Sequence, residues 1–525
     1  MKKIFAGILV LFVAVVLAAC SGGDDSATES SNGNGGSNVS GDVIRVGLDV
    51  DPGTMDPRLA NDSSASRVTE IVFDGLVELD ENLVPQPALA ESWENPDELT
   101  YIFHLREDVT FHDGEPFTAD DVKFTFDSIL DESFNAPYRS LYEPIESVNV
   151  VDEYTVEIKT SEPYAPLLSY LNIGIVPEHL ADNADFANNP VGTGPYKMTD
   201  WKRGSEIHFE ANAEYFNGEP ATEKIVYYII PDNTTRVSAL EAGDIDLLHS
   251  PVSPQDIGRI ESDDRFVVHQ TTGLGHTYLN FNFEDPTIGE EAVRVAISHA
   301  VNKESIANDI YAGMDQPGKS PLIPSSWAYT DAIEGYEYNP ELAQSVLEDA
   351  GWVDEDGDGI RERDGNKLSV VLKTHTEDPN RMQAVEFLQY ELQSIGIDTS
   401  VETQEWPSFQ ESMQTGDYQV ALLGWLNLVD PDRAMFNQFH SEGGSNYGSY
   451  SNPEVDELLE KGRTTIDQNE RAEIYAQAAK IVTEEVAYNV VLYQGYVVMH
   501  VKELEGFTVH PGGYFKSLRD AKINN

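Results

Sequence analysis

The side chains that could do chemistry lie in three places. Asp354-Glu355-Asp356-Gly357-Asp358-Gly359-Ile360 sets carboxylates at alternate positions around two glycines, as the first half of an EF-hand loop does. Hard divalent cations take their oxygen ligands from that spacing. The twelfth position is Gly365 rather than glutamate, and Asp364 falls one residue short of it. Two readings stay open: a structural calcium on Asp354, Asp356, Asp358 and Asp364, or an acidic hairpin that holds no ion. No other cofactor is expected. Gly313-Met314-Asp315-Gln316-Pro317-Gly318-Lys319-Ser320 matches the P-loop pattern letter for letter. A helical pattern precedes it, and Pro321 and Pro324 stand where the helix should begin, so nucleotide binding is not expected. The third place is a set of aromatic and acidic residues: His375, Glu405-Trp406, and Trp425 through Asp432. Catalytic patterns are missing. There is no His-Glu-x-x-His, no Gly-x-Ser-x-Gly, and Cys20 is the one cysteine, so the chain is not expected to be an enzyme.

The third set gains weight from the elements that must carry it. Leu368–Lys373 has strand character. Asp378 then caps a helix with Pro379 at its first position, and Val385, Leu388, Leu392 and Ile395 make its buried stripe before Gly396 stops it. Ile397–Val401 is a second strand, Ser408–Thr415 a short helix, and Tyr418–Leu423 a third strand. A β-α-β-α-β order implies a parallel sheet, and ligands collect beyond the carboxyl ends of such strands. Those ends hold His375, Trp406 and the Trp425–Asp432 stretch.

Earlier in the chain, Val43–Leu48 is a strand. Tyr101, Phe103 and Leu105 alternate with polar neighbours, Asp113-Gly114 marks a turn, and Thr118 with Asp121 forms a capping box for a helix bearing Val122, Phe126 and Ile129. Ile225–Ile230, Asn233–Ala242 and Ile245–Leu248 form another β-α-β unit. Val293–Tyr311 has helical spacing, as does Glu470–Glu485.

With 525 residues and 40% hydrophobic content, the chain is globular and too long for one core. Its 33 basic residues face 92 acidic ones, a net charge of −59 that makes nucleic acid an unsuitable partner. Lys2 and Lys3, an apolar run to Ala19 and Leu17-Ala18-Ala19-Cys20 read as a signal peptide over 1–19 with a lipobox, so Cys20 is the expected lipidation site. Residues 20–41 are Ser-, Gly- and Asn-rich, a tether with a reach of about 25 Å. The expected location is the outer face of a bacterial cell membrane or the periplasm, with the chain lipid-anchored and monomeric.

The order of residues from Ala90 to Leu130 resembles the signature of family 5 extracellular solute-binding proteins, the receptors of ABC importers for oligopeptides, dipeptides and other solutes. Asp56-Pro57 resembles the family's loop at the cleft, Gly192-Thr193-Gly194-Pro195-Tyr196 its glycine turn, Tyr278–Phe283 and Val490–Tyr493 its crossing strands, and Tyr450-Ser451-Asn452-Pro453 its helix start. The resemblance implies an α/β, two-lobed periplasmic-binding-protein-like fold of class II with a ligand cleft between the lobes. Lobe I would run over 42–281 with an inserted subdomain at about 76–187, lobe II over 282–496, and 497–525 would return to lobe I. It implies a cleft built by Thr54, Met55, Tyr278, Asn280 and Tyr493 together with His375, Trp406, Trp425, Asp430 and Asp432. It implies peptides as the solute and a membrane permease as the partner. Peptide receptors of the family hold the ligand's amino group with an Asp three residues after the tryptophan of the Gly-Trp element. Leu428 takes that place here, and Asp430 is the candidate replacement. A non-peptide solute stays open as the alternative: an oligosaccharide, a nickel or other metal chelate, or another amine.

Overall fold

Ile44, Val46 and Leu48, spaced by two, are fully buried and make Val43–Leu48 a core strand. The computed structural model describes residues 43–249 and 251–524. The signal-peptide and tether readings over 1–41, with Cys20, lie outside the described residues. Val43–Leu48 pairs in parallel with Lys224–Ile229 and with Leu247–His249. The helix Asn233–Ala242 links those two, capped by Asp232 and closed by Gly243 at φ 78°, as the sequence predicts.

The second parallel unit also forms. Ser369–His375 pairs in parallel with Asp398–Gln404 on one side and Val420–Trp425 on the other. Asp378 accepts hydrogen bonds from the amides of Asn380 and Arg381 to start the helix Pro379–Ser394. Val385, Leu388, Leu392 and Ile395 are buried beneath it. The next helix starts at Trp406, two residues before the predicted start, so Trp406 opens the helix and does not lie in the loop. The predicted helix over 293–311 is broken. Glu291–Ala300 ends at Val301, whose ψ of 107° is extended, and the Asn302 side chain caps a new turn by accepting from the Ser305 amide.

Two long antiparallel strands, Phe266–Phe281 and Tyr488–Val501, run through both halves and join them into one eleven-stranded sheet. Val420–Trp425 flanks the far half of the first, and Leu247–His249 the far half of the second. Their pairing slips between Thr272 and His276. The slip leaves Gly273–Gly275 and Gln494 outside the regular ladder, in the middle of the two strands that join the lobes. Gly495 is required there, because a Cβ would lie 1.9 Å from the Met314 carbonyl oxygen. The Gly495 amide donates to the Asp315 carboxylate at 2.9 Å.

The inserted subdomain is a four-stranded sheet of Ala90–Asp97, Thr100–Leu105, Thr155–Thr160 and Ile145–Asp152. Tyr101, Phe103 and Leu105 are buried against Val122, Phe126 and Ile129 of the helix Ala119–Leu130. Asp121 accepts from the Thr118 amide at 2.8 Å, as the expected capping box requires. The glycine turn at 192–194 presses on the backbone. A Cβ on Gly192 would lie 2.0 Å from the Val72 carbonyl oxygen, which accounts for the glycine without any phosphate. The C-terminal segment returns to the first lobe, where Phe515, Leu518 and Ile523 share a core with Ile44 and Tyr227. Among the described residues no helix is long and apolar enough to cross a membrane.

Candidate functional site: the cleft between the lobes

A cavity of about 1040 Å³ lies between the lobes. This is at the upper end of the roughly 300–1,000 Å³ of small-molecule sites. Lobe I supplies most of its wall: the end of the first strand and the helix Ser63–Thr69, the segment around Tyr138 and Tyr142, Tyr170 to Gly174, and the returning C-terminal segment around Tyr514. Lobe II contributes Leu426, Asn427, Val429 and Arg433, just beyond the strand Val420–Trp425. Of the three strand ends read from sequence, the Trp425–Asp432 stretch is the one that contributes to this lining.

The lobes touch around this cavity. Ser169 donates its hydroxyl to Asp430 at 2.9 Å, and the Ala165 amide donates to the Arg463 carbonyl at 2.8 Å. Val429 packs against the cores of both the second lobe and the inserted subdomain.

Charge divides the lining into paired and unpaired groups. Arg58 is held bidentately by Asp56 at 2.7 and 3.0 Å. Lys516 meets Asp74 at 2.7 Å and Glu78 at 3.3 Å, and Arg519 meets Glu78 at 3.0 Å. Arg67 gives its Nε hydrogen to the Gly513 carbonyl. Arg433 lies over the Tyr138 ring at 6.0 Å, and its Nε is buried without a partner. Among the described residues, no carboxylate lies within ion-pair distance of Arg433 or Arg67. Glu70, at the end of the same helix as Arg67, accepts from the Phe515 amide. Burial pushes its carboxyl well above the usual range, against the opposing pull of that amide, Lys516 and Arg67. Tyr514 feels both Glu70 and Arg433, and burial raises its hydroxyl to about 12. The cavity thus offers an unsatisfied guanidinium from one lobe and a desolvated carboxyl from the other, between aromatic walls.

None of the residues proposed from sequence lines this cavity. Asp430 is fully buried and saturated: Arg471 holds it bidentately at 2.8 and 3.1 Å, Ser169 donates to it, and it caps the helix Pro431–Phe439. Its expected role as an amine anchor is corrected on that ground, because no lone pair is left for a ligand. Asp432 is corrected likewise, held by Arg463 at 3.0 and 3.2 Å and by the Tyr475 hydroxyl at 3.1 Å. Leu428 is buried in the second lobe's core. Met55 is buried in the first lobe's core, and Thr54 takes a local bond from the Asp56 amide. The Tyr493 hydroxyl is spent on the amides of Lys319 and Ser320. His375 lies between Glu377 and Arg381, with Trp406 edge-on to it at 5.0 Å and 41% exposed. Tyr278 stacks on Tyr488 at 4.3 Å, and the Tyr418 hydroxyl reaches Asn280 at 3.4 Å. The Tyr278 hydroxyl and the Trp425 Nε1 are buried without a partner. Beside them His276 is driven down to about 3 by desolvation and is therefore neutral.

Arg433 and the C-terminal segment are what sequence reasoning missed. Arg433 carried a readable signal. It sits in the first turn of its helix, where the macrodipole disfavours a cation, and such a local conflict marks a residue placed for another purpose. The 506–520 segment has no periodicity, so nothing local points to the cavity.

Two lobes hinged on a pair of through-going strands, with a cavity shared between them, define a binding protein that closes over a solute. The chain matches the bacterial extracellular solute-binding proteins, family 5 (Middle), over residues 84–447, and it belongs to that family. It is 30% identical to the oligopeptide-binding protein AppA of Bacillus subtilis over 524 residues, 96% of this chain and 95% of the relative. It is 29% identical to heme-binding protein A of Haemophilus influenzae, covering 98% of each. The structure of Bacillus subtilis AppA in complex with a nonapeptide aligns over 92% of this chain and 99% of that one, with a TM-score of 0.73 at 28% identity.

Proposed function

We propose that this solute-binding protein captures peptides in the inter-lobe cavity and hands them to an ABC permease in the membrane. It catalyses no reaction, is held to the outer face of the bacterial membrane by a lipid on Cys20, and acts as a monomer. The observation that carries the peptide reading is that one cavity is lined by a guanidinium of the second lobe with a buried, unpartnered Nε and by a desolvated carboxyl of the first. A peptide brings an ammonium and a carboxylate. The Arg433 guanidinium suits the carboxylate, and Glu70, ionised by the arriving ammonium, suits the amine. A ligand that bridges the lobes favours the closed state, and nothing further is needed for closure. The oligopeptide-binding relative supports the same solute class.

A second reading has one observation in its favour. Arg67 joins Arg433 as a cation without a carboxylate, so a solute with two carboxylates, free or as a metal chelate, also fits. The experiment is to purify the secreted form without refolding, denature it, and identify the released small molecules by mass spectrometry. Peptides support the proposal, and a chelate or other polycarboxylate overturns the solute class. Arg433→Gln sharpens the test. It is expected to weaken binding of a released peptide about 10- to 100-fold by calorimetry, the worth of one charged hydrogen bond, and to leave the affinity of its C-terminal amide unchanged.

A further inference from the structure

The acidic loop at 354–362 lies away from the cleft and has chemistry that solute capture does not use. Asp354, Asp356, Asp358 and Glu362 each bring a carboxylate oxygen to within 4.8 Å of the others. Calcium takes oxygen ligands at about 2.3–2.6 Å, so oxygens on opposite sides of one ion stand about 4.6–5.2 Å apart. The four carboxylates therefore fit one coordination sphere as they stand. Magnesium, at about 2.0–2.1 Å, demands a near-ideal octahedron and dehydrates reluctantly, so an all-carboxylate loop suits it less well.

Glu362 supplies the independent sign of a missing partner. It is 8% exposed, and one of its oxygens accepts from the amides of Glu355 and Asp356 at 2.9 and 3.1 Å. Its other oxygen, Oε2, is buried and accepts no hydrogen bond. A buried carboxylate oxygen without a donor is costly unless a cation meets it. The neighbouring arginines point elsewhere. Arg361 serves the carbonyls of Ile395 and Trp352 and the Glu348 carboxylate, and Arg363 is taken by Glu290. Lys367 reaches Asp358 alone. Asp364, expected from sequence to complete the site, is not among the four. Its φ is 53°, at the tip of the hairpin formed by Glu362–Arg363 and Asn366–Lys367.

We propose that Asp354, Asp356, Asp358 and Glu362 bind one calcium ion, with Glu362 in place of the predicted Asp364. The loop leads from the helix Pro340–Asp349 into the strand Ser369–His375, which it enters at its amino end. The cavity lies at the opposite end of that sheet. The ion thus pins the base of the second lobe, stabilises the fold, and leaves solute affinity unchanged, independently of which solute is bound.

The test uses the full secreted chain stripped with a chelator, titrated with calcium chloride and with magnesium chloride by calorimetry, alongside thermal unfolding. One calcium site is expected, with a Kd of about 0.1–1 mM as in extracellular modules, and an unfolding midpoint that rises with calcium but not with an equal amount of magnesium. Glu362→Gln and Asp358→Asn, each checked for native circular dichroism, are expected to weaken binding at least tenfold. Lys367→Met, which removes the ammonium competing for Asp358, is expected to tighten it several-fold. Absence of calcium-specific heat and of any midpoint shift up to 10 mM overturns the proposal. So does calcium binding that survives unchanged in both acidic-residue variants.

Discussion

Asp430 and Asp432 lie under Arg471 and Arg463 at the edge of the cleft, while Asp354, Asp356, Asp358 and Glu362 crowd one loop at the other end of the same lobe with only Lys367 against them. In sequence the two sets look alike, short runs of aspartate beside a proline or glycine. The first set is neutralised within the chain, by guanidinium groups from helices that follow it, and serves the fold. The second has four carboxylates against one cation of the chain, Lys367 on Asp358, and is the set proposed above to take its partner from solution. Residue type does not separate a structural carboxylate from a ligand-binding one. What separates them is whether a buried cation of the same chain arrives first.

The comparison breaks most sharply at Arg471. Arg471→Met leaves Asp430 buried without its cation, and the expected loss is about 3–5 kcal/mol in chemical denaturation. A loss below 1 kcal/mol would mean that the pair contributes little and that Asp430 is open to a ligand after all. The carboxylate at the hinge tests an intermediate case. Among the described residues no cation lies within ion-pair distance of Asp315, and desolvation raises it to about 6, opposed by the Gly495 amide and more weakly by Arg381. The fold therefore holds its proton more tightly than the unfolded chain does, near 3.9. The stabilising contribution is complete below about pH 4 and is lost as pH rises through 6. Asp315→Asn, which keeps an acceptor for Gly495, should stabilise the protein at pH 7 by about 1–2 kcal/mol and flatten that pH dependence in thermal scans. An unchanged profile would show Asp315 to be solvated. The smallest effect belongs to Ser169→Ala. Asp430 keeps Arg471, so stability should hold, while loss of one contact between the lobes removes about 1 kcal/mol from the closed form. Solute affinity should fall roughly fivefold, with a larger radius of gyration in X-ray scattering of the unliganded protein.

Much of the fold could be read from local pattern. The period-two run at Tyr101–Leu105, the Asp378-Pro379 cap and the two β-α-β units are each decided by neighbours a few residues apart, and each formed within a few positions of its predicted bounds. Val293–Tyr311 failed as one helix because the Asn302 side chain offered the backbone a competing cap. The site was legible to the level of a loop. The strand-end rule led to residues 425–432, but which of their side chains face the cavity depends on Arg471 and Arg463, more than thirty residues later, and on Ser169 in the other lobe. The wall formed by Tyr514 and its neighbours comes from a segment with no periodicity to read, and Glu362 enters the acidic loop only through the hairpin that turns it inward.

The pair of strands that joins the lobes limits what the molecule can do mechanically. Ladders of hydrogen bonds on both sides of Gly273–Gly275 resist stretch and slip, so the lobes cannot pull apart or slide. They can swing about one line across the ribbon, where the ladder is interrupted. Opening then has a single coordinate. One distance across the cavity mouth, between labels near Tyr138 and Arg433, reports the state of the whole molecule, and a reporter placed there reads occupancy without knowledge of the solute.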